Sequence, residues 1–290
     1  LVTGATGYIG IHCVQQLLKQ QYLVRGTVRN PDNEEKMKPL KSLEGSERLE
    51  LMKADLDHDD YWNEVVQGCD YILHVASPFV INDDDSIIKT AVDGTLRVLR
   101  AAQQSSSVKK IVQTSSIVAI NEKLFHKSNG RNFIDIHFKL TCINPVFVVG
   151  PALQEERGTS TMARVFWSAN QNFIYLPSKI SQLHSLIIFL NLQHLQIIKH
   201  FLDGRMPAYP AVQLALVDVR DVATAHIKAM CEPRTDGERI LIASQSSLWF
   251  REIAKILRDE FGSQGLLYLF HIDYRLQIFC ASNLSFSIYC

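Results

Sequence analysis

The chain of 290 residues has no excess of charge of either sign: Lys+Arg and Asp+Glu each number 30. A zero formal balance offers no electrostatic footprint for nucleic acid or for an anionic membrane surface, so neither is expected as the main partner. The chain also lacks a C-x-x-C pair and any cluster of His and Cys at ligand spacing. Its cysteines (Cys13, Cys69, Cys142, Cys231, Cys280 and Cys290) therefore read as reduced thiols of a cytoplasmic protein, and no metal is expected. Long apolar runs are missing too. "LHSLIIFLNLQHLQII" (183–198) is interrupted by His184, Asn191, Gln193, His194 and Gln196, whereas a membrane span needs about twenty mostly apolar residues. No basic stretch precedes an apolar segment with a small-residue cleavage site, so no secretory leader is expected. The sequence opens inside a motif, "LVTGATGYIG", and a preceding segment is expected. Internal repeats are absent.

What is present is a core. Hydrophobic residues make up 47% of the chain, which suits one large α/β domain or a domain with a smaller lobe. Strand-like segments occur at 22–28, 49–54, 71–76, 110–115 and 140–149. Several are short, β-branched and continuously apolar, as strands buried on both faces should be. Helical patterns lie between them. Residues 10–20 place Ile11, Val14, Leu17 and Leu18 on one stripe, and 58–68 open with acids and close on Gly68. Residues 86–104 put Ile88, Ala91, Thr95, Val98, Leu99 and Ala102 at helical spacing. Strand–helix–strand alternation predicts an α/β fold with a Rossmann-type, doubly wound parallel sheet. The expected division is a dinucleotide-binding domain over 1–150 and a smaller, disrupted substrate lobe over 151–290. In the second half, 214–232 reads as a short strand and a helix capped by Asp221, and 252–262 as an amphipathic helix ending on Gly262.

The cofactor signal is "TGATGYIG", which spaces Gly4, Gly7 and Gly10 where a first strand passes into a helix. Gly4 permits the tight turn, Gly7 lets backbone N–H groups approach a pyrophosphate, and Gly10 lets the helix pack against the sheet. The helix N-terminus adds partial positive charge for the phosphates. The second strand ends on Arg29, with Lys36 nearby, where an NAD site usually carries an acid. A cation there favours NADP (NADPH) over NAD by charge-assisted bonding to a 2′-phosphate. Asp55 closes the third strand and is placed to accept from an adenine amino group. Small Ala76 and Ser77 close the fourth strand, and Ser115 and Ser116 the fifth. Strand carboxyl ends are where open α/β sheets bind ligands.

These stretches, with "GCDYILHVASPF", "AVDGTLRVLRAA", "INPVFVVGP", "FLDGRMPAYP" and "LVDVRDVATAHI", resemble the extended short-chain dehydrogenases/reductases. This is the NAD-dependent epimerase/dehydratase family, and the likeness is to its branch of dihydroflavonol and cinnamoyl-CoA reductases. The resemblance covers most of 1–165 and 201–262. It implies that Gly4, Thr6, Gly7, Tyr8, Ile9 and Gly10 hold the pyrophosphate, and Arg29 and Lys36 the 2′-phosphate. It implies that Asp55 and Leu56 flank adenine, that Val75, Ala76 and Ser77 line the ribose path, and that Pro145 meets the nicotinamide. Ser116 is implied as the catalytic serine. The implied reaction is NADPH-dependent reduction of a small-molecule ketone, aldehyde or thioester. In it a Tyr acts as acid, a Lys four residues on lowers its pKa, and the Ser stabilises the carbonyl oxygen.

One part of the pattern is missing. The family carries its Tyr-x-x-x-Lys on the crossover between the strand ending "TSS" and the strand "LTCINPVFVV". Here Ile117–Lys139 contains no tyrosine. "YLPSK" pairs Tyr175 with Lys179 at the right spacing, but beyond that strand and with Pro177 inside. His126 and His137 are alternative acids by type. The segments 167–199 and 264–290 have no family counterpart, and such joints read as exon errors or a truncated isoform. Three readings therefore stand: a reductase, an NADP-binding chain without turnover, or a damaged chain that does not fold stably. The short crossover is long enough to close a parallel connection. It is too short to cover the sheet face that a helix would cover, so exposed apolar surface is expected.

Overall fold

The computed structural model describes residues 1–77, 86–119, 137–150, 153, 213–244, 247–249, 251, 252, 255 and 259. Side chains at 86–89, 118, 149 and 214 lie outside that description, as do His126, Tyr175, Lys179, most of 252–262, and the whole of 167–199 and 264–290.

The elements alternate as the patterning predicts. They run β1 (Val2–Thr3), α1 (Tyr8–Lys19), β2 (Val24–Val28), α2 (Glu34–Lys41), β3 (Leu49–Lys53), α3 (Trp62–Val66), β4 (Tyr71–His74), α4 (Ser86–Gln104) and β5 (Lys110–Thr114). Then come β6 (Lys139–Pro145), β7 (Phe147–Val149), β8 (Gln213–Leu214), β9 (Leu216–Asp218), α5 (Val219–Cys231), β10 (Arg239–Ile242) and β11 (Leu248–Trp249). Seven strands form one sheet in the order β10-β6-β5-β4-β1-β2-β3, and every pair in it is parallel. The order reverses between β1 and β4, which is the switch point of a doubly wound sheet. Residues beyond 150 return to it: β10 is the edge strand beside β6, and α5 packs along α1.

Alternation along the central strands builds two cores. Leu73, Val112 and Ile143 face Ile11, Val14, Leu17 and Leu18 of α1 and Ala223, Ile227 and Met230 of α5. Ile72 and Ile111 face Trp62, Val65 and Val66 of α3 and Val98, Ala101 and Ala102 of α4. This two-sided burial is why these strands read as unbroken apolar runs. Truncating a fully buried side chain such as Ile111 to Ala costs about 2–5 kcal/mol.

Several local expectations are corrected. Asp218, not Asp221, caps α5: the helix begins as soon as β9 ends, and Oδ1 of Asp218 accepts from the Arg220 N–H at 2.8 Å. α3 is shorter than 58–68. The acids at its front lie in a loop that the Trp62 indole holds by donating to the Asp55 carbonyl (3.0 Å) and the His58 carbonyl (3.1 Å). The strand expected over 140–149 is two strands. β6 ends on Pro145 and pairs with β5 and β10, while β7 pairs with β9. The helix α2 was hidden because only Met37 and Leu40 are buried and Pro39 lies inside it; Asn33 caps it through the Lys36 N–H at 3.0 Å. On the edge strand Ile240 and Ile242 pack inward, while Leu241 is 52% exposed.

A buried cation ties the returning segment to the sheet. Lys110 pairs with Asp236 at 2.5 Å and donates to the Glu232 carbonyl (2.9 Å) and the Thr235 hydroxyl (2.8 Å). Removing Asp236 leaves that ammonium buried without its counter-charge.

Candidate cofactor and active-site edge

Because the sheet is parallel, all its carboxyl ends lie on one edge. Read across that edge, the strand ends come in the order Asp55 and Leu56 after β3, Arg29 after β2, Gly4 after β1, Val75–Ser77 after β4, Ser116 after β5 and Pro145 in β6. Strands lie about 4.8 Å apart, so this row spans roughly 24 Å, the scale of an extended dinucleotide. The roles expected from the sequence for these strand ends run, in this order, adenine, 2′-phosphate, pyrophosphate, ribose and nicotinamide.

The glycine loop is built for close approach. Gly4 has φ +67°, a left-handed conformation that side chains resist, and a Cβ there would meet Cα and Cβ of Ala76 at 3.1 Å. At Gly10 a Cβ would sit 2.3 Å from the Gly4 carbonyl oxygen. Only glycine lets α1 start this near the turn. The loop is tied back by Gly7 N–H to Gly4 O (2.8 Å), Gly4 N–H to the Thr27 hydroxyl (2.9 Å) and Ala5 N–H to Thr27 O (3.0 Å). Gly7 is the N-cap of α1, with no side-chain cap and no acid in the first turn. An uncapped, acid-free helix start at a sheet's carboxyl edge suits an anion.

The Tyr8 side chain is engaged within the fold. Its hydroxyl donates to the Gly150 carbonyl at 2.8 Å, and its ring meets His12 edge-on. Burial, and then the Asp218 carboxylate, push the phenol well above its usual range. So the Tyr8 side chain fastens the glycine loop to the end of β7. Arg29 and Lys36 are exposed and follow β2 at this edge. Asp55 is half-buried; its Oδ1 accepts from the Asp57 N–H at 3.2 Å.

Three positioning groups went unread in the sequence. The Thr3 oxygen accepts from the N–H groups of Val75 and Ala76, each at 3.0 Å, so its own proton goes to Nδ1 of His74 at 2.8 Å. This arrangement fixes the turn at the end of β4. His226 lies beneath β5: Nδ1–H donates to the Val222 carbonyl (2.8 Å), so Nε2 accepts from the Thr114 hydroxyl (2.7 Å). Burial lowers both histidines to about 4, and they are neutral near pH 7. Asn144 is fully buried and donates to the Ser116 carbonyl at 2.9 Å, holding the turn after β5. The available signal was an asparagine between Ile143 and Pro145 at the buried end of a strand. Ser116 and Pro145 come together here, since Ser115 N–H donates to Ile143 O at 2.7 Å. His137 is exposed and sits at the opposite end of β6 from Pro145, just before Lys139; it is not brought to the edge. Among the described residues no group of three or more His, Cys, Asp or Glu is placed to hold a metal ion, and no helix is long and apolar enough to cross a membrane.

Comparison with known proteins agrees with this architecture. The NAD dependent epimerase/dehydratase family matches residues 1–129. A dihydroflavonol 4-reductase of Hordeum vulgare is 30% identical over 283 residues, covering 90% of this chain and 74% of the relative. Cinnamoyl-CoA reductase 1 of Petunia hybrida is 33% identical over 265 residues, covering 90% and 76%. Among solved structures, the yeast methylglyoxal/isovaleraldehyde reductase Gre2 complexed with NADPH superposes with TM-score 0.67 at 22% identity, covering 92% of this chain and 84% of that one. Vestitone reductase from alfalfa gives 0.61 at 22%, covering 90% and 81%. At such identities the superpositions speak for the fold, while the sequence relatives fix the lineage. The chain belongs to the NAD-dependent epimerase/dehydratase family of extended short-chain dehydrogenases/reductases, on the branch of the dihydroflavonol and cinnamoyl-CoA reductases.

Proposed function

We propose that this chain is an NADPH-dependent oxidoreductase that reduces a carbonyl of a small organic molecule. The observation that carries the reading is the edge itself: an uncapped α1 start behind the Gly4–Gly10 contact, with an exposed cation, Arg29, after β2, and Ser116 and Pro145 three and four strands away on the far side of the switch point. Those features fit a dinucleotide bearing a 2′-phosphate. Backbone of Thr6–Gly10 would hold the pyrophosphate, Arg29 and Lys36 the 2′-phosphate, Asp55 and Leu56 the adenine, Val75–Ser77 the ribose and Pro145 the nicotinamide face. The bound cofactor supplies a hydride. The Ser116 hydroxyl would donate to the substrate carbonyl oxygen and stabilise the charge that develops there. Gre2 and the relatives named above are reductases by name, and one was solved with NADPH; this supports the cofactor and the carbonyl chemistry. Half-buried and buried free thiols at Cys13, Cys69 and Cys142 are consistent with a reducing compartment, and the cytosol is proposed.

A second reading, NADP binding without turnover, is favoured by one observation: no tyrosine lies between Ile117 and Lys139. Oxidation of NADPH by the full chain with a panel of aldehydes, ketones and thioesters separates the two. Carbonyl-dependent oxidation supports the reductase. Saturable NADPH binding with no oxidation supports the silent binder. Absence of both overturns the cofactor reading.

A further inference from the structure

Leu56 belongs to the loop between β3 and α3, and α4 grips that loop from outside. Nη1 of Arg97 donates to the Leu56 carbonyl at 2.5 Å, and Nε of the same guanidinium pairs with the Asp59 carboxylate. One helical turn earlier on the same face, Gly94 is buried against Leu56. A Cβ there would lie 2.8 Å from Leu56 Cβ and 3.2 Å from its carbonyl oxygen. The Trp62 indole holds the loop from the inner side through Asp55 and His58. Arg97 is mostly covered, with 19% of its side chain exposed, while Asp59 is 84% exposed. A covered guanidinium that spans a backbone carbonyl and a carboxylate three residues apart holds both ends of a loop in one geometry.

We propose that Arg97 is a positioning residue for the adenine half of the cofactor. It fixes the 56–59 loop so that Leu56 presents a pre-set wall to the adenine ring. The inference rests on the reading of Asp55 and Leu56 as the adenine site. Without Arg97 the loop must be ordered at the moment of binding, and that entropy is taken from affinity.

The test is equilibrium titration of the full chain with adenosine 2′,5′-bisphosphate, a probe that carries the adenine and 2′-phosphate but no nicotinamide. The melting temperature of each ligand-free variant is recorded alongside. Arg97→Gln should weaken the bisphosphate about tenfold, the worth of one charge-assisted hydrogen bond. Arg97→Lys should recover part of the loss. Asp59→Asn, a change at an exposed side chain that leaves the core intact, should weaken binding about two- to threefold. Unchanged bisphosphate affinity in Arg97→Gln overturns the proposal, and so does a fall in melting temperature unaccompanied by a loss of affinity. If the wild-type chain does not bind the bisphosphate while NADPH binds, the adenine site lies elsewhere and the proposal falls with it. If neither binds, the cofactor reading itself has failed.

Discussion

Acidification from pH 7 towards 4.5 should unfold this protein through two buried histidines. His74 and His226 are each fully enclosed and lowered to about 4 by burial, against about 6.5 in an unfolded chain. Between those values the unfolded state binds protons that the folded state refuses, so stability rises with pH across the window and falls on acidification. A difference of roughly 2.5 units is worth about 3 kcal/mol for each histidine, or about 6 kcal/mol for the pair. That is comparable with the whole stability of an ordinary domain, about 5–15 kcal/mol. Glu232 works in the same direction but lower. Its carboxyl is held at about 2 by Arg234, so its contribution is present above the usual carboxylate range and is lost only below it. Urea denaturation at steps from pH 7 to 4.5 therefore leaves Glu232 largely out; the buried Leu1 amino group, also lowered by burial, adds to the slope in the same direction, so the histidine share is read from their substitutions. That share should approach two protons per molecule, about 2.7 kcal/mol per pH unit. His74→Gln and His226→Gln should each remove close to one proton of it. A flat profile between pH 6.5 and 4.5, or a slope that neither substitution reduces, would refute the reasoning.

Other consequences follow from the edge. Gly10→Ala places a methyl 2.3 Å from the Gly4 carbonyl, so α1 must move; NADPH binding should vanish in titration, with a stability loss of about 1–3 kcal/mol in denaturant melts. Tyr8→Phe strands the Gly150 carbonyl that its hydroxyl serves at 2.8 Å, and should destabilise the fold by about 1–3 kcal/mol. Ser116→Ala should leave NADPH affinity unchanged while lowering kcat for carbonyl reduction by about a hundredfold or more, as removal of one oxyanion donor does.

Much of this was legible because the period of the chain is strong where both faces are buried. Ile72, Leu73, Ile111 and Val112 give apolar runs that only a sandwiched parallel strand explains, and the glycine spacing marks the one crossing where α1 touches β1. The candidate cofactor residues could be ordered from strand ends alone, because a parallel sheet puts every carboxyl end on one edge. Other features left no periodic signal. α2 buries two side chains in eight residues and contains a proline. β10 is a four-residue edge strand with only alternate residues inward. The Thr3–His74 and Thr114–His226 pairs join residues 71 and 112 positions apart, and no local pattern encodes such a pairing. The cap of α5 was misplaced by three residues because both Asp218 and Asp221 suit the role by type, and the choice depends on where β9 ends.

The most direct test of the central claim is competitive binding of NADPH and NADH to the full chain, repeated with Arg29→Glu. The account predicts saturable NADPH binding at least tenfold tighter than NADH, an advantage that Arg29→Glu abolishes because the 2′-phosphate then faces a like charge. Equal affinity for the two nucleotides, or a preference for NADPH that survives Arg29→Glu, would contradict it.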